Sequence, residues 1–122
     1  MIKFRSLKEN KEFLKILSKQ KLNTEYFTVY FDKNKNNLKK KSSNYLNISF
    51  VVKKKIGNAV IRNKIKRKLK FAVQKLLKEK RPIDLNYTYV IFGKNNVYND
   101  KFRLVLKKIN EIFEKIKKID VH

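Results

Sequence analysis

The 122-residue chain has no cysteine or tryptophan, one proline, one histidine and two glycines. Without cysteine there is no disulfide and no thiolate metal site, and nothing points to an oxidising compartment. Gly57 and Gly93 are the only glycines, so a glycine-lysine phosphate loop cannot be built. His122 is the last residue, a place where chain ends fray. Acid is scarce as well, at ten Asp and Glu. A two-metal nuclease needs several converging carboxylates, and a metal-free one usually needs histidines to move protons. Glu111 and Glu114 lie three apart, but Lys107, Lys115 and Lys118 around them mark a solvated, charge-balanced helix face. No apolar run approaches the ~20 residues that span a bilayer, and MIKFRSLKEN at the start lacks the apolar centre of a signal peptide. The expectation is a polypeptide that binds rather than cuts, in the cytoplasm, with no membrane contact and no small-molecule substrate.

What the chain has in excess is positive charge. Lys and Arg total 33, for a formal net charge of +23. Such a field attracts nucleic acid through counterion release and carries no sequence specificity by itself. Hydrophobic residues make up 42%, with nine Phe and six Tyr, which is enough for a modest core and argues against a disordered basic tail. One nucleic-acid-binding domain over residues 1–122 is expected, with RNA or DNA left open by the charge alone.

Ser6-Leu7-Lys8-Glu9 has the capping-box pattern and predicts a first helix from Leu7 to Lys19. Tyr26 to Phe31, YFTVYF, is aromatic and β-branched and reads as a strand, with Phe27, Val29 and Phe31 on its core face and Tyr26, Thr28 and Tyr30 on the other. Asp32 to Asn44 reads as a polar loop, Tyr45 to Val52 as a second strand, and Gly57-Asn58 as a turn into a helix closed by Arg81-Pro82. Tyr87 to Phe92 reads as a third strand stopped by Gly93. Phe102, Val105, Ile109, Ile112, Phe113 and Ile116 mark a last amphipathic helix over Asp100 to Lys118. The order αββαβα predicts an α+β fold, a small two-layer sandwich.

The densest signal is Lys53 to Gln74, KKKIGNAVIRNKIKRKLKFAVQ. Ile61, Ile65, Leu69, Ala72 and Leu76 form one apolar stripe at helical spacing. Arg62, Lys64, Lys66, Arg67, Lys68, Lys70 and Lys75 occupy most of the remaining circumference. So many like charges on one helix repel unless anions lie nearby, which makes this helix a polyphosphate surface.

This segment closely resembles the signature of the bacterial ribonuclease P protein subunit family, approximately V-S-K-K-x-G-N-A-V-x-R-N-R-x-K-R-x-x-R. Val52, Lys54, Lys55, Gly57, Asn58, Ala59, Val60, Arg62, Asn63, Lys66 and Arg67 match it. The family usually has Arg at Lys64 and Lys70, Ser at Lys53, and often a second Phe at Leu17. Lysine keeps the charge but loses the bidentate guanidinium fork.

The resemblance implies the RNA-binding protein subunit of a ribonucleoprotein endonuclease that removes 5′ leaders from precursor tRNA. The RNA subunit with bound Mg²⁺ performs the hydrolysis, and the protein holds no cofactor and lowers the Mg²⁺ requirement. Its partners are the catalytic ribonuclease P RNA and precursor tRNA. Carried over by motif, Lys54, Lys55, Asn58, Arg62, Asn63, Lys64, Lys66, Arg67 and Lys70 contact the RNA subunit, and Phe13, Leu17 and Tyr30 line a cleft for the single-stranded leader. The resemblance also implies a left-handed βαβ crossover, against the general rule. Read from their own pattern, Phe13 and Leu17 serve equally well as helix-to-sheet core. Two other classes compete: a structural ribosomal or other rRNA-binding protein, which has no reason to reproduce the Gly57 to Arg67 pattern, and a DNA-binding regulator, which needs base-reading side chains that this lysine-heavy helix lacks.

Overall fold

The computed structural model describes residues 2–34, 45–80 and 83–119. Five strands form one sheet: β1 (Lys3–Arg5), β2 (Gln20–Asn23), β3 (Phe27–Lys33), β4 (Tyr45–Val51) and β5 (Tyr87–Gly93). Their spatial order is β1-β4-β5-β3-β2. β1 and β5 run parallel to β4, while β3 is antiparallel to β5 and to β2. The described helices are α1 (Asn10–Ile16), α2 (Ala59–Lys78), α3 (Asn95–Asn99) and α4 (Phe102–Ile119), with a 3-10 turn over Lys54–Ile56. The β4-α2-β5 unit supplies the parallel crossover. The architecture is α+β, as the sequence predicts, with extra short elements.

Period-two alternation divides the sheet into two faces. Phe27, Val29, Phe31, Leu46, Ile48, Tyr89 and Ile91 are buried in one core with Ile65, Leu69, Val73, Val105, Ile109 and Phe113 of α2 and α4. Tyr89 meets Phe113 edge to face, with centroids 4.9 Å apart, and its hydroxyl donates to the Asp84 carbonyl at 2.7 Å. Gly93 lies on the same face, where α2 comes closest: a Cβ there would stand 2.7 Å from Ile65 Cγ2 and 2.9 Å from Leu69 Cδ1. Ile16 and Val90 are buried outside that core. They belong to the opposite face, where α1 is the helix among the described residues, so the two expected layers have a short helix behind them.

The start of the chain departs from expectation. β1 pairs in parallel with β4, matching Phe4 to Leu46, and the Leu7 N–H donates to Ser49 Oγ at 3.0 Å. These bonds hold residues 3–7 along the sheet, so the Ser6-Glu9 capping box does not form. Helix α1 begins at Asn10 after Glu9, whose side chain makes no cap bond. It also ends early. The Ser18 hydroxyl donates to the Lys15 carbonyl at 2.7 Å, residues 17–19 turn instead of continuing the helix, and Gln20, just past its expected end, pairs with Phe31 to begin β2. Thr24 closes the β2-β3 hairpin, its Oγ1 accepting from the Tyr26 and Phe27 N–H groups at 3.1 and 3.0 Å.

Elsewhere the strands and long helices fall within a few residues of their expected bounds. Asp32 and Lys33 extend β3 instead of opening a loop, and the remainder of that loop, residues 35–44, lies outside the described residues. Arg81 and Pro82 do as well. α2 stops before them, at Lys78, and Lys80 adopts a left-handed φ of 57°, a conformation that ends a helix. Gly57 is fully extended, with φ 165°, so the turn before α2 does not depend on left-handed backbone.

Candidate RNA-binding surfaces

Helix α2 carries no acidic residue from Ala59 to Lys78. Its start is set by Asn58, whose Oδ1 accepts from the Ile61 N–H at 3.0 Å; the cap satisfies one of the four otherwise unpaired N–H groups. Asn58 therefore has a structural duty beside any RNA contact. Ile65, Leu69, Ala72, Val73 and Leu76 are buried, and Ile61 packs partly against the core.

The remaining circumference divides the basic residues into groups. Asn63, Lys66, Arg67 and Lys70 face the β1-β4 edge, where Lys70 Nζ lies 5.9 Å from the Phe4 ring centroid. Lys64 and Lys68 face α3 and the start of α4: Lys64 Nζ is 5.9 Å from the Tyr98 ring centroid, and Lys68 Nζ donates to the Asp100 carbonyl. Arg62 is half-buried, its Nε donating to the Gly57 carbonyl at 3.1 Å, so it braces the turn that leads into its own helix. Lys54 and Lys55 are exposed in the 3-10 turn. The nine motif residues thus wrap around the N-terminal half of α2 and the turn before it, and Lys64 sits apart on the α3 flank. Two apolar side chains, Val60 and Phe71, stand among these cations at 62% and 59% exposure.

The opposite sheet face brings two of the three expected cleft residues, Phe13 and Tyr30, against a ring that sequence reasoning missed, while Leu17 caps the end of α1 one turn beyond Phe13. Phe92 pairs with Thr28 across β3 and Val51 across β4, which puts its side chain on the α1 side. Its ring lies 6.1 Å from Phe13 and 5.5 Å from Tyr30, edge-on to Tyr30 at 74°. Phe13, Leu17, Tyr30 and Phe92 are all only partly buried, which distinguishes them from Ile16 and Val90 beneath α1. Lys53 Nζ lies 5.6 Å from the Phe92 ring centroid and Lys21 Nζ 5.9 Å from that of Tyr30. The signal that could have found Phe92 is the alternation in YTYVIFG, which sends Phe92 to the face opposite Tyr89 and Ile91.

Near the end of the cleft, Asn23 Oδ1 accepts from Thr28 Oγ1 and from Lys94 Nζ, both at 2.6 Å. The Tyr26 hydroxyl donates to Asp100 Oδ2 at 2.6 Å. That hydrogen bond, then burial and the charges of Asp100 and Glu25, push Tyr26 up to about 12.

Among the described residues no three His, Cys, Asp or Glu side chains stand together to hold a metal ion. Glu111 pairs with Lys108 at 3.3 Å, and Lys108 also reaches Glu25 at 3.7 Å. No described helix is long and apolar enough to cross a membrane.

The family profile described as Ribonuclease P matches residues 1–117. The ribonuclease P protein component of Carboxydothermus hydrogenoformans is 34% identical over 119 residues, covering 97% of this chain and 96% of its own. That of Mesoplasma florum is 34% identical over 110 residues, covering 87% and 89%. Among solved structures, the RNase P protein from Thermotoga maritima superposes with a TM-score of 0.70 at 26% identity, over 91% of this chain and 96% of that one. With its signature residues arrayed on and before α2, the chain belongs to the ribonuclease P protein component family.

Proposed function

We propose that this protein component works in the cytoplasm on two RNAs at once, holding the catalytic RNA against α2 and the precursor-tRNA leader in the α1 cleft. The observation that carries the reading is the placement of two chemically different surfaces on separate parts of the fold. One is a helix with no acidic residue in its whole length. The other is a partly exposed cluster of Phe13, Tyr30 and Phe92, with Lys53 and Lys21 over its rings and Leu17 one helical turn beyond Phe13. Cations along a helix suit the phosphates of a folded RNA. Rings with lysines beside them suit a flexible single strand, because every base offers a π-face while the lysines follow its phosphates. A leader needs that tolerance, since its bases vary from one precursor to another.

Hydrolysis in this scheme belongs to the RNA subunit and its Mg²⁺. The protein contributes binding energy and neutralises phosphate repulsion that Mg²⁺ otherwise screens, so the assembled enzyme needs less of the ion. The test is to assemble the protein with a catalytic ribonuclease P RNA and measure affinity for precursors with progressively longer leaders. Affinity should rise with leader length over the first several nucleotides and depend on Phe92 and Leu17. A holoenzyme indifferent to leader length would leave the cleft without this role.

A further inference from the structure

Where β1 meets β4 at the sheet edge, α2 stands away from the strands over a cavity of about 640 Å³. Its floor is aromatic, with Phe4 and Phe50 at 6.1 Å between centroids and their rings tilted by 33°. Its wall is the α2 flank that carries Asn63, Lys66, Arg67 and Lys70. Phe50 pairs with Ile91 and so shares the α2 face of the sheet, whereas Phe92 pairs with Val51 and belongs to the other. A strand lying in the Phe13-Tyr30 cleft is therefore behind the sheet from this cavity.

Cations that only follow phosphates need no concavity and no rings. This site has both, in a volume within the range of small-molecule pockets. An amide at the rim adds a donor and an acceptor suited to a base edge. We infer that the cavity receives one unpaired nucleotide of the RNA subunit, with its base against Phe4 and Phe50 and its phosphates among Lys66, Arg67 and Lys70. The RNA subunit is favoured over the precursor because the wall is the helix assigned to it and the cavity opens on the face away from the leader cleft. The inference rests on that assignment.

The test is Phe4→Leu, which keeps an apolar residue on β1 but removes the ring. In a variant whose thermal transition stays within a few degrees of wild type, affinity for the RNA subunit should fall about tenfold with its salt dependence unchanged. Lys70→Ala should instead flatten the salt dependence by about one unit of slope. Unaltered affinity in folded Phe4→Leu overturns the inference. So does a loss confined to leader-dependent precursor binding, which would make the precursor the occupant. A second measurement stands if the variant does not fold: the wild-type protein is titrated with adenosine 5′-monophosphate and with ribose 5-phosphate at millimolar concentration while the Phe4 and Phe50 ring resonances are followed. Shifts with the nucleotide alone support a base site, whereas equal shifts or none overturn it. Failure of the underlying assignment is distinguishable, because Arg67→Ala on the same wall would then leave both the affinity for the RNA subunit and its salt slope unchanged.

Discussion

Phe92 stands edge-on to Tyr30, with centroids 5.5 Å apart and planes at 74°, and with Phe13 at 6.1 Å on its other side it joins helix α1 to strand β3 by one ring. Aromatic pairs of this geometry add roughly 0.5–1.5 kcal/mol beyond area burial. The contacts fix the three rings relative to one another, so in the proposed cleft an incoming base would meet rings already in position. Preorganisation of this kind reduces the ordering cost of binding.

Leu17→Gln and Phe92→Leu should each lower the holoenzyme's affinity for long-leader precursors by a few-fold, about 1 kcal/mol, while affinity for mature tRNA and for the RNA subunit holds. Binding measured against leader length checks this. Parallel curves for variant and wild type, or a Leu17→Gln protein that unfolds, would make these side chains core.

Arg67→Ala should weaken binding to the RNA subunit and reduce the salt slope by about one unit, because Arg67 is exposed and would neutralise one phosphate. Arg62→Ala should do this and also lower thermal stability, since its Nε holds the Gly57 carbonyl. Salt titrations alongside melting curves separate the two effects. An Arg67→Ala protein with wild-type slope would place the phosphate contacts elsewhere.

Gly93→Ala should cost about 1–3 kcal/mol of stability, the usual range for overpacking. The added methyl would meet Ile65 Cγ2 at 2.7 Å, and Ile65 and Leu69 are themselves fully buried. Chemical denaturation is the check, and a variant as stable as wild type would mean that α2 can lift from β5.

Tyr26 should ionise well above the ordinary tyrosine range. Its folded pKa is raised to about 12 from an unfolded value near 10. The protonated form is therefore the one favoured by folding, so its contribution to stability is fully present below pH ~10 and disappears between about 10 and 12. Absorbance titration of phenolate, wild type against Asp100→Asn, should show one tyrosine moving to lower pH in the variant. An identical titration would remove Asp100 as the cause.

The parts of this fold that were legible in the sequence are those whose pattern is long or strongly apolar. Ile65, Leu69, Ala72 and Leu76 repeat at helical spacing and are buried; Phe27, Val29 and Phe31 alternate and fill the sheet's core face. The parts that were not are short and held by partners distant in sequence. Lys3–Arg5 is a strand only because β4 lies beside it, and Gln20–Asn23 only because β3 does. Local capping signals at Ser6 and Glu9 lose to the Leu7-Ser49 hydrogen bond, a contact across 42 positions that no local rule contains. The five-residue helix Asn95–Asn99 is likewise set by packing, with Val97 buried. For the site, the basic helix is readable because its charge is local. The cleft needed the β3-β5 register, which places Phe92 opposite Thr28 and so next to Tyr30.

In the proposed division of labour this chain assists an RNA catalyst and does not cleave RNA itself. It is tested most directly by precursor-tRNA cleavage at a Mg²⁺ concentration too low for the ribonuclease P RNA alone, with RNA alone, protein alone and both together. Leader removal is expected only in the combined reaction, with protein freed of all RNA inactive at every Mg²⁺ concentration. Cleavage by the RNA-free protein, abolished by Glu111→Gln or Glu114→Gln, would contradict it.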